Sequence, residues 1–531
     1  MIKKFNLLLL SLLSAVLLIL SWYWHLSIVI FFAFIPLLIL ENKLVTTSKL
    51  KLIGYCYLTF LVWNIGVTYW IQYASFGGAI AAFITNSTVM TVVFVFFSTL
   101  KNKLNKPWGI WLIVPIWIAF EHIHTLWDMS WTWLTLGNVF AFNHNWIQWY
   151  EYTGTSGGTL WILVTNVLIF ETLRNNVAQK IISKPILKIA SLIIVPILIS
   201  YLILFIGKAN TQKNNGQICV IAQPNIDPYN GKFSSDYQSQ FLKVMHLLRG
   251  KINTKTNYLI LPETFITDNI NEEGIFKAEQ IQWFKDSLLK KYPHLKIVTG
   301  GNTYTYYKNK NDITVTARHD DENNLYYDVF NSAIQIDSSS IQIYHKSKLV
   351  PGVERMPFPS LLKPLESFAL ELGGTFGSLG IQNERSIFED KKTDIKIAPV
   401  ICYESVYADF VTEYIRKGAN IIFIITNDGW WQDTPGYVQH LNFARLRAIE
   451  NRCEIARCAN TGISCFIDEF GNITNATNWW EEAVIEKKIY PQKSQTFFSR
   501  FGDLISYTSL IIFCLLVVLR IFVKTIKGKF L

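Results

Sequence analysis

Long apolar blocks separated by short polar connections fill the first 206 positions. The runs cover 7–20, 26–40, 52–71, 79–100, 108–120, 160–173 and 186–206, and one more, at 504–523, follows a long polar section. A helix crossing a bilayer needs about 20 apolar residues, so the pattern predicts seven spanning helices, a polar domain and an eighth span. The polar section, 214–493, has a different rhythm. Short β-branched runs recur at 218–223, 258–262, 296–300, 332–337, 340–346, 395–402, 420–427 and 454–460. Helical stretches lie among them at 235–248, 279–291 and 440–450, the last with Leu441, Ala444 and Ala448 on one stripe. Strands alternating with helices predict an α/β layered fold. The runs YLIL, IAPVI and IIFII are apolar without alternation, as strands covered on both faces are. The expected domains are 1–210 (a bundle of about seven helices), 211–495 (a catalytic domain) and 496–531 (a last helix and tail).

Charge gives the expected orientation. Lysine and arginine cluster in alternate connections: Lys3 and Lys4; Lys43, Lys49 and Lys51; Lys101, Lys103 and Lys106; Arg174, Lys180, Lys184 and Lys188; and Arg520 to Lys529 at the end. The connections 21–25, 72–78 and 121–159 contain neither residue. Basic loops stay in the cytoplasm, so both termini are expected inside and the polar domain outside. Bulky Trp22, Tyr23 and Trp24 follow the first run where a cleaved leader would need small residues, so that run is expected to remain as a span. Only 17% of the 531 residues are charged, as expected of a chain partly in lipid. The net charge of +10 forms no basic stripe with interleaved aromatics, which argues against nucleic acid. Seven cysteines with no CxxC and no zinc spacing argue against a disulfide framework or a zinc site.

The candidate chemistry lies where strand-like runs stop. Glu263 follows YLIL and Pro262, Lys346 follows SIQIYH, and Cys402 follows IKIAPVI, while Asn427 and Asp428 follow IIFIIT. Ligands of open α/β sheets bind beyond the carboxyl ends of strands. A carboxylate, an ammonium and a thiol delivered there are the parts of a nucleophilic-cysteine acyl-transfer site: Glu263 to take the thiol proton, Lys346 to hold the thiolate and the oxyanion. A free thiol, with a pKa of about 8.5, needs such help. His345 beside Lys346 is expected on the opposite strand face and structural. Gly154 to Gly158 match the G-x-S-x-G elbow but open an apolar span, so they are rejected as a hydrolase nucleophile. The asparagine glycosylation patterns at Asn86, Asn472 and Asn475 carry no weight. The segment 356–380, apolar with Pro and Gly, is either a lid, a bilayer-dipping arm or a surface loop.

With these elements in place, the chain resembles the apolipoprotein N-acyltransferases, membrane members of the nitrilase (carbon–nitrogen hydrolase) superfamily. The resemblance rests on LILPET around Glu263, YHKSKLVPGVERMPF around Lys346 and Glu354, APVICYES around Cys402, TNDGWWQDTPGYVQHLNFARLRAIENR and CANTGIS. It implies a nitrilase-like four-layer αββα domain inserted between a seven-helix transmembrane bundle and one C-terminal transmembrane helix, with no cofactor and no metal. It implies Glu263 as general base, Lys346 as the intermediate-stabilising lysine and Cys402 as acyl-carrying nucleophile, supported by Glu354, Tyr403 and Glu404. One departure is visible: the family's Pro-Phe-Gly-Glu loop reads Pro351-Gly352-Val353-Glu354. The implied reaction passes an acyl chain from a phospholipid, through a Cys402 thioester, to the N-terminal amine of a diacylglyceryl-cysteine apolipoprotein at the outer leaflet of a bacterial inner membrane. A membrane-anchored amidase or nitrilase is the alternative. A transporter or receptor is disfavoured, because acids are nearly absent from the spans apart from Glu121 and Glu171.

Overall fold

The computed structural model describes residues 6–23, 26–176, 183–210, 213–229, 232, 237–362, 378–390 and 392–529. The chain divides into two compact units. One comprises Met1–Tyr69, Ala79–Ala209 and Phe501–Leu531; the other comprises Trp70–Gly78 and Asn210–Arg500. The sequence reading placed 70–78 in the bundle and ended the catalytic domain at 495. Instead, the stretch Trp70–Gly78 belongs with the second unit, where the Trp70 ring lies tilted against Trp431, centroids 4.7 Å apart, and abuts Gly436.

Among the described residues, five helices, Ser27–Leu44, Lys49–Thr68, Phe76–Leu104, Tyr150–Arg174 and Lys184–Ala209, are long and apolar enough to cross a membrane. Leu7–Ser21, Pro107–Ile123 and Leu504–Val518 are shorter apolar helices. The helix expected from 160 begins at Tyr150, with Gly154 at φ +61° marking a kink inside it. Several buried polar side chains of the first unit bond across it, as an apolar surround favours. Asn166 bridges the break in the 27–44 helix, donating to the Ile30 carbonyl at 2.9 Å and accepting from the Phe34 amide at 2.9 Å. Glu121 accepts from Trp117, the Leu136 amide and Thr159 at 2.7–3.1 Å. The C-terminal helix, Leu504–Lys529, packs along Ile113–Ile123, so both ends of the chain build one bundle.

The second unit holds, among the described residues, two sheets. The first contains β1 (Gln217–Gln223), β2 (Tyr258–Ile260), β3 (Ile266–Asn271), β4 (Lys296–Tyr306), β5 (Arg318–Asp320), β6 (Leu325–Ile336) and β7 (Ile341–His345). The second contains β8 (Phe388–Glu389), β9 (Lys396–Ile401), β10 (Ile421–Thr426), β11 (Ile455–Ala459), β12 (Cys465–Ile467) and β13 (Ile473–Thr474), while β14 (Ala483–Ile489) returns to pair with β1. The orders are β14-β1-β2-β4-β6-β5, with β3 on β4 and β7 on β6, and β13-β12-β11-β10-β9-β8. In each sheet the central strands are parallel: β1, β2 and β4 in one, β9, β10 and β11 in the other. β7 runs antiparallel to β6, itself antiparallel to β4, so β7 points the same way as β2.

Strand alternation sorts the core. Leu259, Val220 and Ile297 pack with Phe241 of α1 (Tyr237–Leu247) and Ile281 and Phe284 of α2 (Glu279–Phe284). Each such fully buried side chain contributes roughly 1.5–3 kcal/mol. One residue away, Tyr258 turns to the other face and meets Phe423 of β10, ring centroids 5.3 Å apart. The Cys458 thiol closes the same layer, 3.5 Å from the carbonyls of Ala222 and Ile260. The two sheets therefore face each other. The apolar side of α3 (Ala408–Arg416) packs on β9, and α4 (Pro435–Asn451) packs on α3 and β12. The expected helix 279–291 ends early, at Phe284, and continues as one π-turn, Lys285–Leu289.

Candidate active site

β2 ends before Pro262, which has no N–H to extend the ladder. The Gly300 amide of β4 donates to the Pro262 carbonyl at 3.1 Å. A Cβ on Gly300 would lie 2.4 Å from the Thr264 nitrogen and 2.6 Å from the Glu263 Cα, so only glycine lets the chain turn here and present Glu263. Lys346 is the residue after β7. Its Nζ donates to Glu263 Oε1 at 2.9 Å and to Glu354 Oε1 at 2.7 Å. Asn331 of β6 donates through Nδ2 to both carboxylates, at 2.8 Å and 3.2 Å. Glu354 is delivered by a tight turn: Gly352 sits at φ +75°, and Glu354 Oε2 accepts from the Val350 amide at 2.8 Å. The missing aromatic of the family loop therefore leaves the acid in place.

Cys402 follows β9 at φ +48°, a left-handed conformation costing an L residue about 1–2 kcal/mol. Two contacts hold its carbonyl: Ser405 Oγ donates at 2.7 Å, and His440 Nε2 lies 3.1 Å away. His440 Nδ1 is 2.9 Å from Asp428 Oδ1, and Arg457 donates to Asp428 Oδ2 at 2.5 Å, all three side chains fully buried. This Arg–Asp–His chain braces the strained turn from beneath.

Electrostatics set the resting state. Burial pushes the Cys402 thiol well above its usual range; Glu263 adds to this, and Lys346 opposes it. Burial alone would also raise Glu263, but Lys346, Asn331 and Lys232 hold it below the usual carboxylate range. Burial works against the Lys346 ammonium, yet Glu263, Glu354 and Cys402 keep it firmly protonated. These shifts favour a protonated thiol at Cys402 beside an ionised Glu263.

Glu404 lies elsewhere. It is fully buried, and Oε1 accepts from Tyr344 at 2.6 Å and the Ser347 amide at 2.7 Å, while Oε2 accepts from the Ile401 amide at 2.9 Å. It ties the end of β7 to the end of β9. Burial pushes its carboxyl up to about 7 against those bonds. Tyr403 is buried edge-on against Tyr407. His345 pairs with Glu272 at 2.6 Å and stacks on Phe330, away from the ammonium of Lys346. Ser156 of the G-x-S-x-G match bonds Asp503 at 2.5 Å within the bundle. Most of 356–380, namely 363–377, lies outside the described residues.

Sequence reasoning passed over Asn331, His440, Arg457 and Lys232. Asn331 is a polar residue inside an apolar strand run, and His440 and Arg457 are polar residues on elements otherwise largely buried; those are the available signals. Lys232 carried none.

Comparison with known proteins follows the same division. The carbon–nitrogen hydrolase family model matches residues 220–497, and the model of the apolipoprotein N-acyltransferase N-terminal domain matches residues 14–168. An apolipoprotein N-acyltransferase of Chlorobaculum tepidum is 27% identical over 86% of this chain and 85% of its own length. That of Rickettsia prowazekii is 27% identical over 78% and 77%. Among solved structures, a nitrilase-superfamily protein of Saccharomyces cerevisiae, 16% identical, aligns with 52% of this chain and 92% of its own at a TM-score of 0.36.

Proposed function

The chain belongs to the carbon–nitrogen hydrolase family, and from that membership and the geometry at Cys402 we propose that it is the apolipoprotein N-acyltransferase of its membrane. The observation that carries this reading is the Lys346 ammonium bonded to both Glu263 and Glu354 within electrostatic reach of the Cys402 thiol. The match of 14–168 to the N-terminal domain of acyltransferases, rather than to the hydrolase model alone, supports lipid substrates. The second unit corresponds to the four-layer αββα domain, and the apolar helices anchor it.

In the first half-reaction the Cys402 sulfur attacks the ester carbonyl of a phospholipid acyl chain while Glu263 takes the thiol proton. Lys346 faces the charge that develops on oxygen. The tetrahedral intermediate collapses, the lysophospholipid oxygen leaves with the proton from Glu263, and a thioester remains. In the second half, the α-amine of a diacylglyceryl-cysteine attacks the thioester carbonyl and Glu263 accepts its proton. The Cys402 thiolate leaves and is reprotonated, and the product is an amide. One nucleophile serving two substrates in turn gives ping-pong kinetics.

The stretch Trp70–Gly78 carries no Lys or Arg and belongs to the catalytic unit. This supports placing that unit on the outer face of the membrane, with both termini inside.

The test is radiolabelled phospholipid. Cys402→Ser is expected to abolish label on the protein, and a labelled protein in that variant contradicts the nucleophile assignment. Glu263→Gln is expected to keep the fold and slow labelling by about 100-fold or more; labelling at the native rate removes its role as base.

A further inference from the structure

A second lysine lies against the base. Lys232 is 1% exposed, and its Nζ donates to the Glu263 carbonyl at 2.8 Å and to Thr264 Oγ1 at 2.6 Å. Its backbone is held as well: its amide donates to the Asp227 carbonyl at 2.9 Å, and Gln240 of α1 donates to its carbonyl at 2.7 Å. Thr264 is at φ +48°, so the ammonium clamps a strained turn immediately after the base. A solvated surface lysine meets none of these conditions.

Charge counting gives the clamp a second role. Glu263 and Glu354 share one ammonium, Lys346, which leaves that set with an excess negative charge. An excess negative charge opposes formation of a thiolate or an oxyanion beside it. Lys232 supplies the balancing positive charge, and its field reaches both Glu263 and Cys402. We propose that Lys232 is a positioning residue for the acyl transfer: it fixes the Glu263–Thr264 turn and neutralises the second carboxylate, so that Glu263 stays ionised and ready to accept the thiol proton. The inference rests on the acyl-enzyme reading above.

The groups facing the ammonium are Glu263, at the end of β2, and Cys402, at the end of β9; Lys346 and Glu354 act on it through Glu263. Burial pulls Lys232 down to about 8, against the pull of Glu263 and Cys402. The consequence is a pH signature. Acylation should fall as pH rises through about 8, where Lys232 loses its proton. Arginine keeps its charge far above that range.

The experiment follows adduct formation from labelled phospholipid against pH in the full-length protein, as wild type, Lys232→Arg and Lys232→Met. Lys232→Met is expected to slow acylation by about 100-fold and to move the acid limb to higher pH, because Glu263 loses a neighbouring cation. Lys232→Arg is expected to restore at least a tenth of the native rate and to displace the alkaline fall upward. Native rate and profile in Lys232→Met overturn the proposal. So does an alkaline fall that stays in place in Lys232→Arg. Thermal unfolding of each variant separates a lost fold from a lost charge, and the arginine profile decides the matter if the methionine variant does not fold. Absence of any adduct in the wild type would instead sink the acyl-enzyme reading itself.

Discussion

At the scale of single residues, the proposed nucleophile, Cys402, rests on a buried chain of side chains behind it. The Arg457–Asp428–His440 chain ends on the Cys402 carbonyl. Burial raises the Asp428 carboxyl, but Arg457 and His440 override it and hold it far below the usual range. A depressed carboxyl contributes stability above its unfolded value and loses it only as pH falls through the folded one, so this brace stays charged at any ordinary working pH. Arg457→Met strands that carboxylate and is expected to cost about 3–5 kcal/mol, read as a lowered melting temperature of the purified protein; an unchanged melt contradicts the brace. Glu404→Gln points an N–H at backbone N–H donors and is expected to cost about 1–3 kcal/mol, checked in the same way. The difference between these residues and the expected ones is instructive. Glu263, Lys346 and Cys402 were picked out because each ends an apolar run, a local signal, and the structure pairs the first two at 2.9 Å. Glu404, two residues past Cys402, was read with them, yet its bonds go to Tyr344 and Ser347, some sixty positions away in the chain. Asn331 and Lys232 also act through partners 23 to 68 positions away, and no spacing rule reaches that far.

At the scale of elements, the connection between two apolar helices reaches the candidate site through a chain of contacts. The Trp70 ring lies tilted against Trp431, which meets His440 edge-on at 5.5 Å, and His440 contacts the Cys402 carbonyl. Tyr229, on the loop that leads to Lys232, donates to the Trp430 carbonyl at 2.6 Å. Gly436 opens α4 beneath the Trp70 ring, where a Cβ would lie 2.6 Å from Cδ2. Gly436→Ala is therefore expected to displace Trp70 and the 428–431 turn and to reduce acylation at least tenfold, about 1.4 kcal/mol in barrier; native activity would mean that this contact supports nothing at the site. Central strands were legible from their uniform apolarity, as in β9 and β10, whose residues are nearly all buried. β3, β5, β8, β12 and β13, of two to six residues, were missed because so short a run carries no period, and β14, seven residues with a charged half, was missed as well. The start of the helix at Tyr150 was missed as well, since Gly154, Gly157 and Gly158 read as a loop.

At the scale of the whole molecule, apolar blocks and basic loops made the division into a membrane bundle and an α/β unit legible. The assignment of 70–78 to the second unit was not, because it follows from contacts such as Trp70 with Trp431 and Gly436 rather than from composition. The proposed orientation has a direct readout. Six native cysteines are buried and Cys514 is exposed. In a Cys514→Ser background, Lys290→Cys on the open surface of the catalytic unit is expected to react with a membrane-impermeant maleimide in intact cells; labelling only after lysis would reverse the topology. The central claim, an acyl group carried on one sulfur, is tested most directly by intact-protein and peptide mass spectrometry after incubation with phospholipid. The account predicts one added acyl mass on the peptide containing Cys402, removed when a diacylglyceryl-cysteine peptide is supplied. An adduct on another residue, or transfer to the acceptor with no adduct on Cys402, would contradict it.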